Sequence, residues 1–352
     1  MTFIRRSLGP SGRAPSATLR VLTLVTAVTT FLLIVAGGIV RVSGSGLGCG
    51  TSQNGNDWPY CQGRLLPPWQ REAVIEFSHR WLAASVSTLA VVLLVVVWAR
   101  YRHLRLLAWT TTLFVGFLIV QIVLGAITVL KLLPADIIMV HLANAELLLG
   151  TTVLLTVLAR RGGRLRAPSA VPLTGAQRAV SRWTLATAVA VFLLVVSGAF
   201  VVDRGAGAAC SGWPLCGNGL QFDSSTLATY NLGHRIVAGA VLVLIGITAS
   251  RVVRAWRPVR AVRLANAAVG VMLVLQVTAG AVLVEAHLPG WTRGLHEALA
   301  SALWAAVALL AILTRPAVAE PLAAAGATDT GGDGSAAAGR LAPPRVPIGS
   351  AT

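Results

Sequence analysis

Eight predominantly apolar stretches run along the chain, at residues 21–42, 74–98, 106–130, 136–159, 183–202, 226–250, 264–285 and 294–313. As a helix, each is long enough to cross a hydrocarbon layer of roughly 30 Å. They are rich in Leu, Val and Ala and lack the apolar–polar alternation of barrel strands, so they predict transmembrane helices. The expected fold is an all-α polytopic membrane protein of eight helices. Composition agrees: 55% of the 352 residues are hydrophobic and only 12% are charged, too few to cover a soluble domain.

The net charge of +17 does not point to nucleic acid, because the arginines punctuate the ends of apolar runs. Arg5, Arg6, Arg13 and Arg20 precede the first run. Arg100, Arg102 and Arg105 fill the second connection, and Arg160, Arg161, Arg164, Arg166, Arg178 and Arg182 the fourth. Arg251, Arg254, Arg257, Arg260 and Arg263 fill the sixth, and Arg315, Arg340 and Arg345 follow the last run. The odd-numbered connections hold few basic residues and the acids Asp57, Glu72, Asp136, Asp203 and Asp223, expected outside the helices. The positive-inside rule then predicts a multi-pass protein of the plasma membrane with both termini cytoplasmic. The first run is too long for a signal-peptide core and reads as a signal anchor. From Pro316 the tail is Ala, Gly, Pro and Thr, a composition expected to be disordered.

An internal repeat organises the rest. Trp58-Pro59-Tyr60-Cys61 recurs as Trp213-Pro214-Leu215-Cys216, Glu76-Phe77-Ser78-His79-Arg80 as Asn231-Leu232-Gly233-His234-Arg235, and His141 as His296. Gln121, Gly125, Ala126 and Val129 recur as Gln276, Gly280, Ala281 and Val284; every one of these pairs is 155 positions apart. Gly37, Gly44, Gly46 and Cys49 match Gly198, Gly205, Gly207 and Cys210 at an offset of 161, so the first loop carries six extra residues between its cysteines. The reading is two duplicated four-helix bundles in parallel orientation. Its boundaries are an N-terminal segment 1–20, a first half 21–159, a linker 160–182, a second half 183–313 and a tail 314–352.

Four of the six histidines obey the repeat. His79 and His141 lie 62 residues apart, as do His234 and His296, each within about two turns of the outer end of its helix. Two imidazoles from different helices of one bundle are a ligand set for a six-coordinate haem iron. Polar groups at membrane depth are costly and usually functional. Each half lacks the clustered third and fourth ligands that zinc wants. His103 and His287 have no counterpart at the repeat offset and are expected to be solvated or interfacial.

Glu76 stands three positions before His79, on the same helix face. Its counterpart is Asn231, which cannot ionise, so the halves are expected to differ: a reactive first site and a resident cofactor in the second. Arg80 and Arg235 follow their histidines and could pair with haem propionates or snorkel to lipid phosphate. Glu146 and Glu297 also lie near histidines, with roles left open. The cysteines fall in the outer loops as matched pairs, Cys49 with Cys61 and Cys210 with Cys216, which supports disulfides in an oxidising compartment. A structural staple suits the second pair; the first is either a staple or a redox pair.

With these residues in view, the chain resembles the haem A synthase family over about residues 20–315. The resemblance rests on eight helices in two halves, Glu-x-x-His-Arg at 76–80, Asn-x-x-His-Arg at 231–235, His141, His296 and the cysteine pairs; the first pair is spaced more widely than in bacterial members. It implies oxidation of a ring methyl of haem O to a formyl group, giving haem A for terminal oxidases. On that analogy His79 and His141 bracket haem O, Glu76 assists the chemistry, and His234 and His296 hold a resident haem B. Haem O synthase (the protohaem farnesyltransferase), cytochrome oxidase assembly factors and membrane lipid are the expected partners. The competing expectations are a di-haem b-type electron carrier, such as a quinol-linked cytochrome, and a haem transporter or chaperone.

Overall fold

The computed structural model describes residues 14–51, 60–163, 173–216 and 225–315. Among them are eight α-helices, all long and apolar enough to span a membrane: α1 (Ala17–Val42), α2 (Arg71–Arg100), α3 (Arg105–Leu130), α4 (Ala135–Arg160), α5 (Gly175–Asp203), α6 (Thr226–Ala255), α7 (Arg260–Glu285) and α8 (Gly290–Leu313). The chain is a multi-pass membrane protein. A short 3₁₀ turn at Ala206–Ala208 follows α5.

Most helices extend past the apolar runs that signalled them, because hydropathy marks the hydrocarbon layer while caps lie beyond it. Thr174 and Gln177 form a capping box that starts α5 inside the stretch read as linker 160–182. Ser16 caps α1 by accepting from the Leu19 amide at 3.2 Å, and Ser225 caps α6 by accepting from the Ala228 amide at 3.2 Å. For the same reason Glu72, Asp136 and Asp203, expected outside the helices, lie in the first or last turns of α2, α4 and α5. Acids favour helix N-termini, which accounts for the first two. Asp57, Asp223 and the tail from Pro316 lie outside the described residues.

The first four helices form a closed ring, α1 on α2, α2 on α3, α3 on α4 and α4 on α1, and α5–α8 form another in the same order. Helices α2 and α4 therefore stand at opposite corners, as do α6 and α8. The rings join through α1 on α8, α4 on α5 and α4 on α8. The turns opening α4 and α8 share one backbone shape: Leu132 and Leu133 have φ of 60° and 62°, and His287 and Leu288 the same two values. These residues are again 155 positions apart.

Small and hydroxylated residues let the buried helices approach, as is usual within lipid. Gly150 lies under the Trp304 indole, where a Cβ would stand 3.2 Å from Cζ2. Thr184 bonds Thr314 at 2.7 Å, and Thr187 bonds Thr248 at 2.8 Å. Glu146, fully buried on α4, accepts from the Ser301 hydroxyl of α8, and its backbone carbonyl accepts from Trp304 Nε1 at 2.8 Å. Glu146 and Ser301 are themselves 155 positions apart, so this contact joins equivalent points of the two halves. Ser301→Ala leaves the Glu146 carboxyl buried without its partner, a loss of about 1–3 kcal/mol. The expected outcome is a lower thermal midpoint in detergent, and an unchanged midpoint would show that the contact contributes nothing.

Candidate functional site

All four repeat histidines lie toward the cysteine-bearing end of the bundle, on α2, α4, α6 and α8. The two of each half are close enough to interact electrostatically, His79 with His141 and His234 with His296. Each ring rests on a glycine of the adjacent helix. An added Cβ would stand 3.1 Å from His79 Cε1 at Gly37, 3.2 Å from His141 Cε1 at Gly125, 3.2 Å from His234 Cε1 at Gly198 and 3.2 Å from His296 Cε1 at Gly280. The sequence repeat contains these glycines, but their pairing with the histidines could only be read once the helices were packed. His103 and His287 are exposed, as expected.

The imidazoles differ in their partners. Gln121 Nε2 lies 3.1 Å from His141 Nε2, and Gln276 Nε2 lies 3.3 Å from His296 Nε2. Ser197 Oγ bonds His234 Nδ1 at 2.8 Å. The Leu33 carbonyl lies near the His79 ring without forming a hydrogen bond to Nδ1. The Nδ1 atoms of His79, His141 and His296 are buried with no hydrogen-bond partner. Among the described residues no group of three or more His, Cys, Asp or Glu side chains is placed to hold a metal ion. Paired imidazoles from opposite corners of a bundle, with nitrogens left over and no further ligands, fit an iron porphyrin and do not fit zinc.

Gly→Val at position 280 places methyl groups where the His296 ring now lies, and ligand geometry tolerates only about 0.5 Å of displacement. Low-spin absorbance from any haem bound through His296 should fall, while Gly116→Val, whose Cβ meets no atom within 4 Å, should leave it intact. Equal spectra for the two variants would remove Gly280 from the site.

Beside each histidine pair, the residue three positions earlier is tied to the loop above it. Glu76 is buried; Oε2 accepts from the Cys49 amide at 2.8 Å, and Oε1 accepts from Arg80 Nη2. This loop runs so close to α2 that any side chain at Gly48 would strike the Glu72 backbone, 2.3 Å from an added Cβ. Asn231, equally enclosed, does the opposite: its Nδ2 donates to the carbonyls of Ala206 at 2.8 Å and Gly207 at 3.0 Å. At equivalent places, one half presents amide donors to a carboxylate and the other presents carbonyls to an amide.

Arg80 and Arg235 reach into the loops. Arg80 donates to the Tyr60 carbonyl at 2.7 Å. Arg235 donates to Asn231 Oδ1 at 2.8 Å and to the carbonyls of Cys210, Gly212, Pro214 and Leu215 at 2.7–3.4 Å. The cysteines form the disulfides Cys49–Cys61 and Cys210–Cys216, with Cα–Cα distances of 4.4 and 4.6 Å. Trp58 and Pro59 of the repeated motif lie outside the described residues. Glu297 belongs to the seam between halves, where Arg41 Nη2 donates to it at 2.9 Å, and Asp203 lies 3.8 Å from Arg41 Nη1. Sequence reasoning missed Arg41 and Asp203, which have no charged counterparts at the repeat offset.

Over residues 20–308 the chain matches the family described as cytochrome oxidase assembly protein, COX15-CtaA. It belongs to that family. The haem A synthase of Symbiobacterium thermophilum is 33% identical over 319 residues, which cover 87% of this chain and 98% of that protein. The haem A synthase of Shouchella clausii is 29% identical, covering 80% and 91%. That of Geobacillus kaustophilus is 25% identical, covering 83% and 91%. The resemblance to haem A synthases drawn from the histidine and cysteine motifs is borne out, and family membership favours it over a di-haem carrier or a haem transporter. The chain is a membrane enzyme of the oxidoreductase type.

Proposed function

We propose that this chain is a haem A synthase that oxidises a ring methyl of haem O to a formyl group. His79 and His141 hold haem O between α2 and α4, and His234 and His296 hold a resident haem B between α6 and α8. The observation that carries the reading is the opposite polarity at Glu76 and Asn231. A protein that only relays electrons through two permanent haems has no use for a carboxylate in one half alone, whereas oxidation of a methyl to a formyl group releases protons that a neighbouring carboxylate can accept.

The iron porphyrin supplies the oxidising chemistry when bound; the chain's residues bind, orient and handle protons. Glu76 is fixed through Oε2 on the Cys49 amide and Oε1 on Arg80, one turn from His79. The first disulfide holds that loop in place, and Cys210–Cys216 with Arg235 does the same over the second site. Arg80 and Arg235 would meet haem propionates only by giving up loop carbonyls, so their first task is to hold the loops. The described acids all lie in the helices toward or at the cysteine-bearing end or at mid-membrane, and the opposite end presents arginines, which supports cytoplasmic termini in a plasma membrane. A farnesylated haem is lipid-soluble, which suits delivery within the bilayer from a haem O synthase and release toward oxidase assembly factors. The two halves, 21–159 and 183–313, are read as products of a duplication.

The test is co-expression with a haem O synthase in a host that makes haem O but no haem A, followed by chromatography of haems extracted from its membranes. Haem A should appear only when this chain is present. Its absence, with the chain folded in the membrane and haem O present, would overturn the reading.

A further inference from the structure

The two histidine pairs are held by different second partners: in one half a donor is fixed on the nitrogen that would bind iron, and in the other an acceptor supports the opposite nitrogen. On α4, Asn144 Nδ2 donates to the Phe117 carbonyl at 3.0 Å and to Gln121 Oε1 at 2.7 Å. A backbone carbonyl can only accept, so the Asn144 atom facing it is the NH₂ group, which fixes the orientation of that amide. The Gln121 atom it also meets must then be the oxygen, leaving the Gln121 NH₂ aimed at His141 Nε2, 3.1 Å away. His141 Nε2 therefore accepts, its proton resides on Nδ1, and Nε2 is the nitrogen able to bind iron. One lone pair cannot serve both the Gln121 amide and an iron.

The second half lacks this lock. Leu299 stands at the position equivalent to Asn144, Gln276 Oε1 is buried with no partner, and its amide is free to turn away from His296. Instead the second half supports its other ligand. Ser197 Oγ donates to the Leu194 carbonyl at 2.7 Å, so toward His234 Nδ1, at 2.8 Å, the oxygen acts as acceptor. His234 thus carries its proton on Nδ1 and presents Nε2 for iron, the outer-shell support that strengthens a metal ligand. Ala36 occupies the equivalent place in the first half, and His79 Nδ1 has no partner.

We propose that Asn144 and Ser197 are positioning residues that make the first haem site exchangeable and the second retentive. Asn144, through Gln121, supplies a competitor for the His141 lone pair that captures the imidazole whenever its bond to iron opens, so haem leaves the first half. Ser197 keeps His234 preset for iron, so haem stays in the second. A synthase needs this difference, because substrate and product must pass through one site while the cofactor remains in the other. The inference rests on the proposed assignment of the two halves.

The test is haem loss from the purified full-length protein to excess apomyoglobin, followed by absorbance. The wild type should show a fast and a slow phase. Asn144→Leu, which copies the second half, should slow the fast phase by about five- to tenfold, the change expected from one neutral hydrogen bond. Damage to packing would accelerate haem loss, so the direction separates positioning from a structural lesion. Gln121→Leu should act in the same direction, and Ser197→Ala should speed the slow phase by a similar factor. An Asn144→Leu protein with an unchanged or faster first phase overturns the inference, as does an unchanged slow phase in Ser197→Ala. A wild-type protein that loses both haems at one rate overturns it too, while leaving two haem sites standing. A folded protein that binds no haem overturns the underlying assignment instead.

Discussion

Glu76→Gln will lower haem A formation by roughly a hundredfold or more, the scale of a lost general acid or base. Haem O or a partly oxidised product should accumulate in its place. The geometry supplies a second reason for severity, because both carboxylate oxygens accept hydrogen bonds, from the Cys49 amide and from Arg80. A glutamine must turn its NH₂ group against one of those donors. Arg80→Ala separates the two effects: it removes the Tyr60 loop contact and the hydrogen bond to Oε1 but keeps the carboxylate, and should cost far less activity than Glu76→Gln. Assay of membrane haems by chromatography checks both variants. Full haem A formation by Glu76→Gln would take Glu76 out of the mechanism. The reciprocal Asn231→Glu should create no second reactive site, since it sets a carboxylate against the carbonyls of Ala206 and Gly207. Those carbonyls repel it and have no proton to offer.

His296→Ala should cost the protein its resident haem B and, with it, its activity. With His296 gone, a haem in the second half would be held by His234 alone, a weaker and spectroscopically distinct site. The reduced-minus-oxidised spectrum of the purified variant should lack the six-coordinate signal, and haem content per chain should fall. Its fold should survive, because His296 Nδ1 has no hydrogen-bond partner to lose and the ring gives up only the 3.3 Å contact with Gln276. A variant with the full six-coordinate spectrum would move the cofactor elsewhere.

What could be read from the chain alone followed from which signals are local. Lipid enforces long apolar helices, so the eight spans and their order were legible, while their ends were not. Thr174 and Gln177 form a capping box that a search for apolar runs passes over, and α5 begins eight residues before its apolar run. The repeat placed His79, His141, His234, His296, Glu76 and Asn231 in equivalent pairs because duplication preserves spacing. It could not show that Gly37, Gly125, Gly198 and Gly280 lie under the rings, since each contact joins two helices. Arg41, Asp203 and Glu297 meet only where α1, α5 and α8 converge, and nothing in their spacing anticipates it. The loop-holding roles of Arg80 and Arg235 were hidden for a related reason: their partners are backbone carbonyls, which carry no side-chain signature.

Two unlike haem sites in one chain are the centre of this account, and chromatography of haem extracted from the purified protein tests them most directly. Protein made where haem O is available should yield haem B together with haem O, haem A or a partly oxidised form. In the His79→Ala/His141→Ala double variant only haem B should remain. Haem B alone in the wild type, filling both halves, would contradict the account and make the chain an electron carrier.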